Sequence, residues 1–439
     1  MSHLTNVTGK VGEGIGRFLF RMPSSDGLRS RFTPSTPQNY EELGISQSLV
    51  LDLVLRRLLM EGFSTLESLA RHLRVSIPIV DTAFKHLRQQ QLVEVKGMIR
   101  NDYTFVLSQA GKQLASDRLH MSQYAGACPV GLKDYHAATK LQAAKVSIDR
   151  RALRMAFADL VVTDAMLDAV GPALITQSSI FLYGPSGNGK TSIAERMLRV
   201  YQDAVYIPWS VEVDGQIINL YDPVVHQRIE IDDPDIDPRW VLCRRPCIVV
   251  GGEMVPSMLE LRLDDTSGIY AAPLQMKANN GIFIIDDFGR QLMSPRDLLN
   301  RWIVPLDRKV DYLTLRYGVK FQIPFELMVV FSTNLDPSDL ADEAFLRRIH
   351  NKILVEPVSP HVFDQIFQRV MIARDVPTEP DSAEFLRQIC LSDGRGELRA
   401  CYPNDICSLL MSISRYEHRP VEATKVNLQR AAQLYFAKT

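Results

Sequence analysis

The chain has 439 residues, 46% apolar and 23% charged, with a formal net charge of −1. That length predicts two or three domains, each able to bury a core, and the apolar share is that of a globular protein. No apolar run approaches the ~20 residues that cross a bilayer, which excludes a membrane-spanning helix, and Phe18-Leu19-Phe20 is too short for a signal-peptide core. A cytoplasmic protein with no membrane partner is expected. The six cysteines, at 128, 243, 247, 390, 401 and 407, form no disulfide framework, and Cys243 with Cys247 lacks the second pair that a zinc site needs. Charge is uneven: residues 1–150 hold 19 Lys and Arg against 13 Asp and Glu, and the remainder 31 against 38. A basic front permits an anionic partner, and a solvated basic surface accounts for it equally well.

Residues 1–45 scatter Gly, Ser, Thr and Pro without a sustained apolar period and are expected to form a disordered arm. Gly12, Gly14 and Gly16 follow no strand, so they are not a dinucleotide motif. From residue 46 to 119 the pattern is compact and helical: Leu49 to Met60, Thr65 to Leu73 and Ile77 to Gln90. Two strand-like runs follow, Leu92 to Val95 and Tyr103 to Leu107, and then a helix from Gln109. Three helices with a two-stranded wing resemble a winged helix-turn-helix domain. In that family the third helix enters the major groove, which would put Lys85, His86 and Arg88, with Lys96 and Arg100 on the wing, near phosphates. Winged helices also dock proteins, so DNA and protein partners both stay open for residues 46–119. Residues 120–150 read as a linker or short connecting helix.

At residue 151 alternating helices and short apolar strands begin. The run Ser179 to Tyr183 is strand-like, and Gly184-Pro185-Ser186-Gly187-Asn188-Gly189-Lys190-Thr191 has the P-loop spacing, with Ser192 opening a helix to Tyr201. Glycines let backbone N–H groups turn around phosphate oxygens, and the helix N-terminus adds positive charge. ATP is the expected ligand, Lys190 the group that reaches its outer phosphates, and Thr191 a ligand of Mg2+. A long interval, Pro208 to Asn280, carries a strand-like stretch at 216–220 and an acidic run at 230–237. Ile282 to Asp287 then has Walker B form, four apolar residues ending in two carboxylates. Asp286 would hold magnesium, and Asp287 would orient and deprotonate the attacking water.

After a helix from Pro295, the runs Asp311 to Leu315 and Val319 to Ile323 flank Arg316-Tyr317-Gly318 as a hairpin. The strand Leu327 to Thr333 ends in Asn334, an amide able to hold a water or terminal phosphate, although a turn-forming Asn before Asp336-Pro337 explains it too. Glu343 to Ile349 presents Arg347 and Arg348, and Lys352 to Val355 is strand-like. Helical patterns follow at 360–373, 381–391, 404–416 and 421–437.

This ordered set resembles the AAA+ ATPases over residues 151–439. The fold class expected is α/β: a P-loop AAA+ core (151–358) with a parallel sheet flanked by helices, a helical lid (359–439), and a small winged-helix α+β domain in front. The resemblance implies a homo-oligomer, six subunits being usual in the family, with Arg347 and Arg348 as fingers reaching a neighbour's terminal phosphate. The hairpin is similar to the one inserted before sensor 1 in magnesium chelatases and bacterial enhancer-binding proteins. Two features depart from the family. The Walker B pair is Asp-Asp rather than Asp-Glu, and Asn404 stands where many lids carry the sensor 2 arginine, leaving Arg395 or Arg399 to substitute. An ATP-driven remodeller of a protein or nucleoprotein is the first expectation. A slow ATP-gated DNA-binding regulator or adaptor is the second.

Overall fold

The computed structural model describes residues 30–99, 102–145, 147–340, 343–394 and 396–436. The expectations for residues 1–29, for Arg100 on the wing and for Arg395 lie outside the described residues.

Five short strands run parallel at the centre: β1 (Ile180–Tyr183), β2 (Cys247–Val250), β3 (Ile282–Ile285), β4 (Met328–Thr333) and β5 (Asn351–Leu354). Their spatial order is β2-β3-β4-β1-β5. The inner strands read as unbroken apolar runs because helices cover both faces. Alternation sends Ile180, Leu182, Ile282, Ile284 and Val330 to one face, against Ile193 and Met197 of the helix Lys190–Met197 and Val170 and Leu174 of Asp164–Thr176. Phe181, Phe283, Ile285 and Phe331 go to the other face. There Trp302, from the helix Pro295–Arg308 and fully buried, stands edge-on to Phe283 and Phe325 at 5.3 and 5.7 Å. Parallel strands deliver all their C-terminal ends to one rim, so the turns after β1, β3 and β4 emerge side by side.

Apart from β2, the long interval before β3 folds largely as a second layer. Ala204–Pro208 pairs antiparallel with Trp240–Arg244. A separate five-stranded sheet runs Arg262–Asp264, Ile269–Ala271, Gln216–Asn219, Ser210–Val213, Val130–Gly131. The expected hairpin is present as Val310–Thr314 and Lys320–Pro324, directly ahead of β4.

Toward the N-terminus, helices Gln47–Glu61, Leu66–Leu73 and Ile77–Gln89 enclose Leu53, Leu69, Val80 and Phe84. Phe84 packs at 3.8 Å on Phe105 of a three-stranded sheet made by Ser64–Thr65, Asp102–Leu107 and Val93–Ile99. Ser46 caps the first helix by accepting from the Leu49 amide. Beyond β5, helices Pro360–Ala373, Ser382–Asp393, Tyr402–Tyr416 and Lys425–Tyr435 pack around Phe363, Phe367, Leu386 and Leu410.

Two expectations are corrected. Residues 30–45 are ordered: Leu43 is fully buried in the short helix Tyr40–Leu43, Phe32 stands edge-on to Trp240 at 5.3 Å, and the Asp237 amide donates to Pro34 O at 2.9 Å. A few anchors hold this segment, and a few anchors leave no period in a sequence. Residues 120–150 are integral rather than linking. Val130–Gly131 is an edge strand, the helix Leu132–Leu141 buries Tyr135 and Ala138, and the Tyr124 hydroxyl donates to Ala127 O at 2.6 Å and lies 2.9 Å from Ser210 Oγ. The segment that carries the paired arginines is helical over Glu343–Leu346.

Candidate functional site

The loop after β1 needs its glycines. Gly184 has φ +131°, and a Cβ there would come within 2.5 Å of Val355 O. Gly187 has φ +84°, and a Cβ there would meet Cys401 Sγ at 2.7 Å. Both positions combine a left-handed backbone with no space for a side chain, so the loop keeps the tight curve that an anion-binding cradle requires. Lys190, 8% exposed, begins the helix and folds back, its Nζ donating to Gly184 O at 2.8 Å and Pro185 O at 3.0 Å. Burial pulls the Lys190 pKa down, opposed by the nearby Asp286 and Asp287 carboxylates. Pro185 and Ser186 form the rim of the loop. Asn188, 6% exposed, accepts from the Ala400 amide through Oδ1 at 3.3 Å.

Thr191 and Asp286 meet across the site: Thr191 Oγ1 donates to Asp286 Oδ2 at 2.8 Å. The other carboxylate oxygen accepts from Ser332 Oγ at 2.7 Å, and Gln291 Nε2 bonds the Asp286 carbonyl at 2.8 Å. Ser332 is a site residue that sequence reasoning misses, because strand register brings it here. Ile285 and Phe331 are register partners on β3 and β4, so the next residue on each strand falls alongside. Asp287 is exposed and held at φ +47°. For a residue with a Cβ this left-handed conformation is strained.

Asn334 follows β4, and its Oδ1 is enclosed without a hydrogen-bond partner among the described residues. It borders a cavity of about 540 Å³ together with Gly184, Pro185, Ser186, Asp336 and Arg399. Arg399 comes from the segment preceding the helix Tyr402–Tyr416, and its Nη1 donates to Ser186 Oγ at 3.4 Å. Asn404 instead accepts from Arg374 at 2.6 Å and stays within the helical layer. The C-terminal helical layer also touches the loop directly, the Cys401 amide donating to Gly187 O at 2.9 Å.

The structure thus gathers Gly184 to Thr191, Asp286, Asp287, Asn334 and Arg399 on one rim. Ser192 lies in the first turn of the helix Lys190–Met197, beside Thr191. Arg347 is not gathered: it is 75% exposed and its Nη2 bonds Glu343 at 2.6 Å. Arg348 is half-buried nearby. Among the described residues no group of three His, Cys, Asp or Glu side chains is placed to hold a metal. One carboxylate and a hydroxyl are nonetheless what magnesium takes when substrate phosphates and water complete its shell, and Asp286 with Thr191 fits that set. The tight glycine cradle and the Asn334 oxygen, unpaired among the described residues, fit a triphosphate with bound water.

A family model described as "Domain of unknown function (DUF8689)" matches residues 359–434. No curated protein matches the chain. Among solved structures, NtrX from Brucella abortus in complex with ATP is 14% identical with a TM-score of 0.40. The match covers 62% of this chain and 56% of that one, so the chain spans just over half of the NtrX length. The Thermotoga maritima RuvB Holliday junction branch migration motor is 13% identical with a TM-score of 0.35, covering 66% and 72%. No helix among the described residues is long and apolar enough to cross a membrane.

Proposed function

We propose that this chain is an AAA+ ATPase that binds ATP with magnesium on the loop after β1 and hydrolyses it at an interface between subunits. The observation that carries the reading is the Thr191–Asp286 hydrogen bond at 2.8 Å, which locks the P-loop helix to the tip of β3. Thr191 and Asp286 would hold magnesium, which when bound neutralises charge on the transferring phosphate. Lys190 exchanges its two carbonyl partners for phosphate oxygens, a trade favoured because the ammonium is largely shielded from water. Asp287 orients and deprotonates the attacking water, Asn334 holds that water or the terminal phosphate, and Arg399 from the lid reaches the phosphates beside Ser186. Arg347 and Arg348 would act on a neighbouring subunit's phosphate, consistent with the solvent-facing position of Arg347.

The N-terminal helices and wing recruit the target, and ATP turnover remodels it. Helix Ile77–Gln89 exposes Lys85 and Arg88, although Lys85 is paired with Asp81 at 2.7 Å. The wing sets Met98 opposite Tyr103, 56% and 53% exposed, a surface better suited to a protein than to phosphates. Steady-state turnover with and without duplex DNA tests the reading, and salt-dependent DNA binding by the full chain separates DNA from protein recruitment. A second reading, a slow ATP-gated regulator, is favoured by the short and strained Asp287. Tight ATP binding with negligible turnover under every condition would select it. Absence of any affinity for magnesium nucleotides would end both.

A further inference from the structure

Away from the rim, a cavity of about 130 Å³ opens where the N-terminal helices meet the second layer. Arg74 and Arg228 line it with Trp209, Trp240, Asp233 and apolar walls that include Ile229. Arg74 ends the helix Leu66–Leu73 in a left-handed conformation, φ +55°, and its guanidinium lies 4.5 Å from the centre of the Trp209 ring. Among the described residues no carboxylate pairs with Arg74, whose guanidinium reaches a single carbonyl, Pro238 O, at a stretched 3.5 Å. Arg228 is held at 3.0 Å by Glu230. Burial, and then the charge of Arg228, depress the Arg74 pKa, so the two cations repel each other across a partly enclosed space. Trp209 Nε1 is enclosed and has no hydrogen-bond partner among the described residues. Arg74 without a carboxylate partner, Arg228 shared with Glu230 and an enclosed indole N–H thus surround a cavity whose one lining carboxylate is Asp233, so cations outnumber carboxylates on its wall.

We propose that this cavity binds a small organic anion, its carboxylate or phosphate held between Arg74 and Arg228 and its body resting against the two indoles. An oxyanion supplies the missing acceptors and cancels the repulsion between the guanidiniums, and planar aromatic walls suit a flat or apolar body. Arg74 belongs to the N-terminal helices, whereas Trp209 and Arg228 belong to the second layer. A ligand here therefore joins the target-recruiting part of the chain to the part that surrounds β3.

Trp209 and Trp240 are two of the three tryptophans, so intrinsic fluorescence of the full-length protein reports occupancy. Titration with sodium phosphate and with sodium benzoate, against sodium chloride of equal ionic strength, should give a saturable change with at least one of the two. The tighter anion identifies the head group. The change should persist in Lys190→Ala, which removes the P-loop cation, and weaken at least 10-fold in Arg74→Met and in Arg228→Gln. Arg228 is 44% exposed along its side chain, so Arg228→Gln keeps the test open should Arg74→Met fail to fold. No saturable change with either anion, an unaltered response in Arg228→Gln, or loss of the response in Lys190→Ala would overturn the proposal.

Discussion

Lys190 carries the sharpest consequences at the scale of single residues. Its charge is nearly buried and its present partners are loop carbonyls, so Lys190→Ala should weaken ATP binding about 100-fold, as measured by equilibrium titration with a fluorescent analogue. Asp287→Asn keeps the size and loses the base. Binding should survive while turnover drops about 10²- to 10⁴-fold in a phosphate-release assay. His226 gives a pH prediction. Burial depresses its pKa, and its neutral ring accepts from the Asp222 amide at 2.9 Å while facing Lys277 O at 2.9 Å. The unfolded chain takes up this proton near pH 6.5 and the folded chain only at lower pH, so stability is lost as pH falls below about 6.5, at no more than about 1.4 kcal/mol per unit for this one group. His226→Gln should flatten that limb of a melting-temperature profile against pH, beyond whatever His136, also depressed by burial, contributes.

At the scale of elements, the short helix Glu343–Leu346 sets Arg347 facing solvent, bonded to Glu343 of its own chain. An exposed pair of this kind is worth little, so a neighbour's phosphate would readily displace Glu343. Arg347→Ala should leave ATP binding intact and lower turnover roughly 10³-fold, and mixing it with Lys190→Ala protein should restore part of the activity, since each variant supplies what the other lacks. Elements with a strong period were legible in the sequence. The run Ile282 to Ile285 could be little but a buried strand, and the P-loop fixed what stood before and after it. Ser332 and Arg399 were harder to place. Their roles depend on strand register and on where a helical layer settles, neither of which leaves a local pattern. The segments 30–45 and 120–150 escape the sequence for a related reason: single side chains such as the half-buried Phe32 and the buried Tyr124 and Tyr135 hold them, and isolated contacts have no periodicity.

For the whole molecule, shared-site chemistry requires assembly. Sedimentation of the protein with a non-hydrolysable ATP analogue should show a larger species than the protein alone, and Lys190→Ala should abolish the difference. Arg239 and Asp237, 3% and 2% exposed, set the internal constraint. They pair at 2.8 Å, and Arg239 Nη1 also donates to Leu43 O at 3.0 Å and Pro129 O at 3.2 Å. Arg239→Leu leaves Asp237 buried and unpaired, and should cost about 3–5 kcal/mol in urea unfolding.

That guanidinium is mortised into carbonyls lying more than a hundred residues upstream. Trimming the gene to begin at residue 151 would pull both acceptors out of their socket and bare the flank of Ser210–Val213 where Val130–Gly131 now sits. A naked strand flank recruits other chains, so the shortened product should precipitate on expression, and biochemistry on this ATPase candidate calls for the uncut polypeptide.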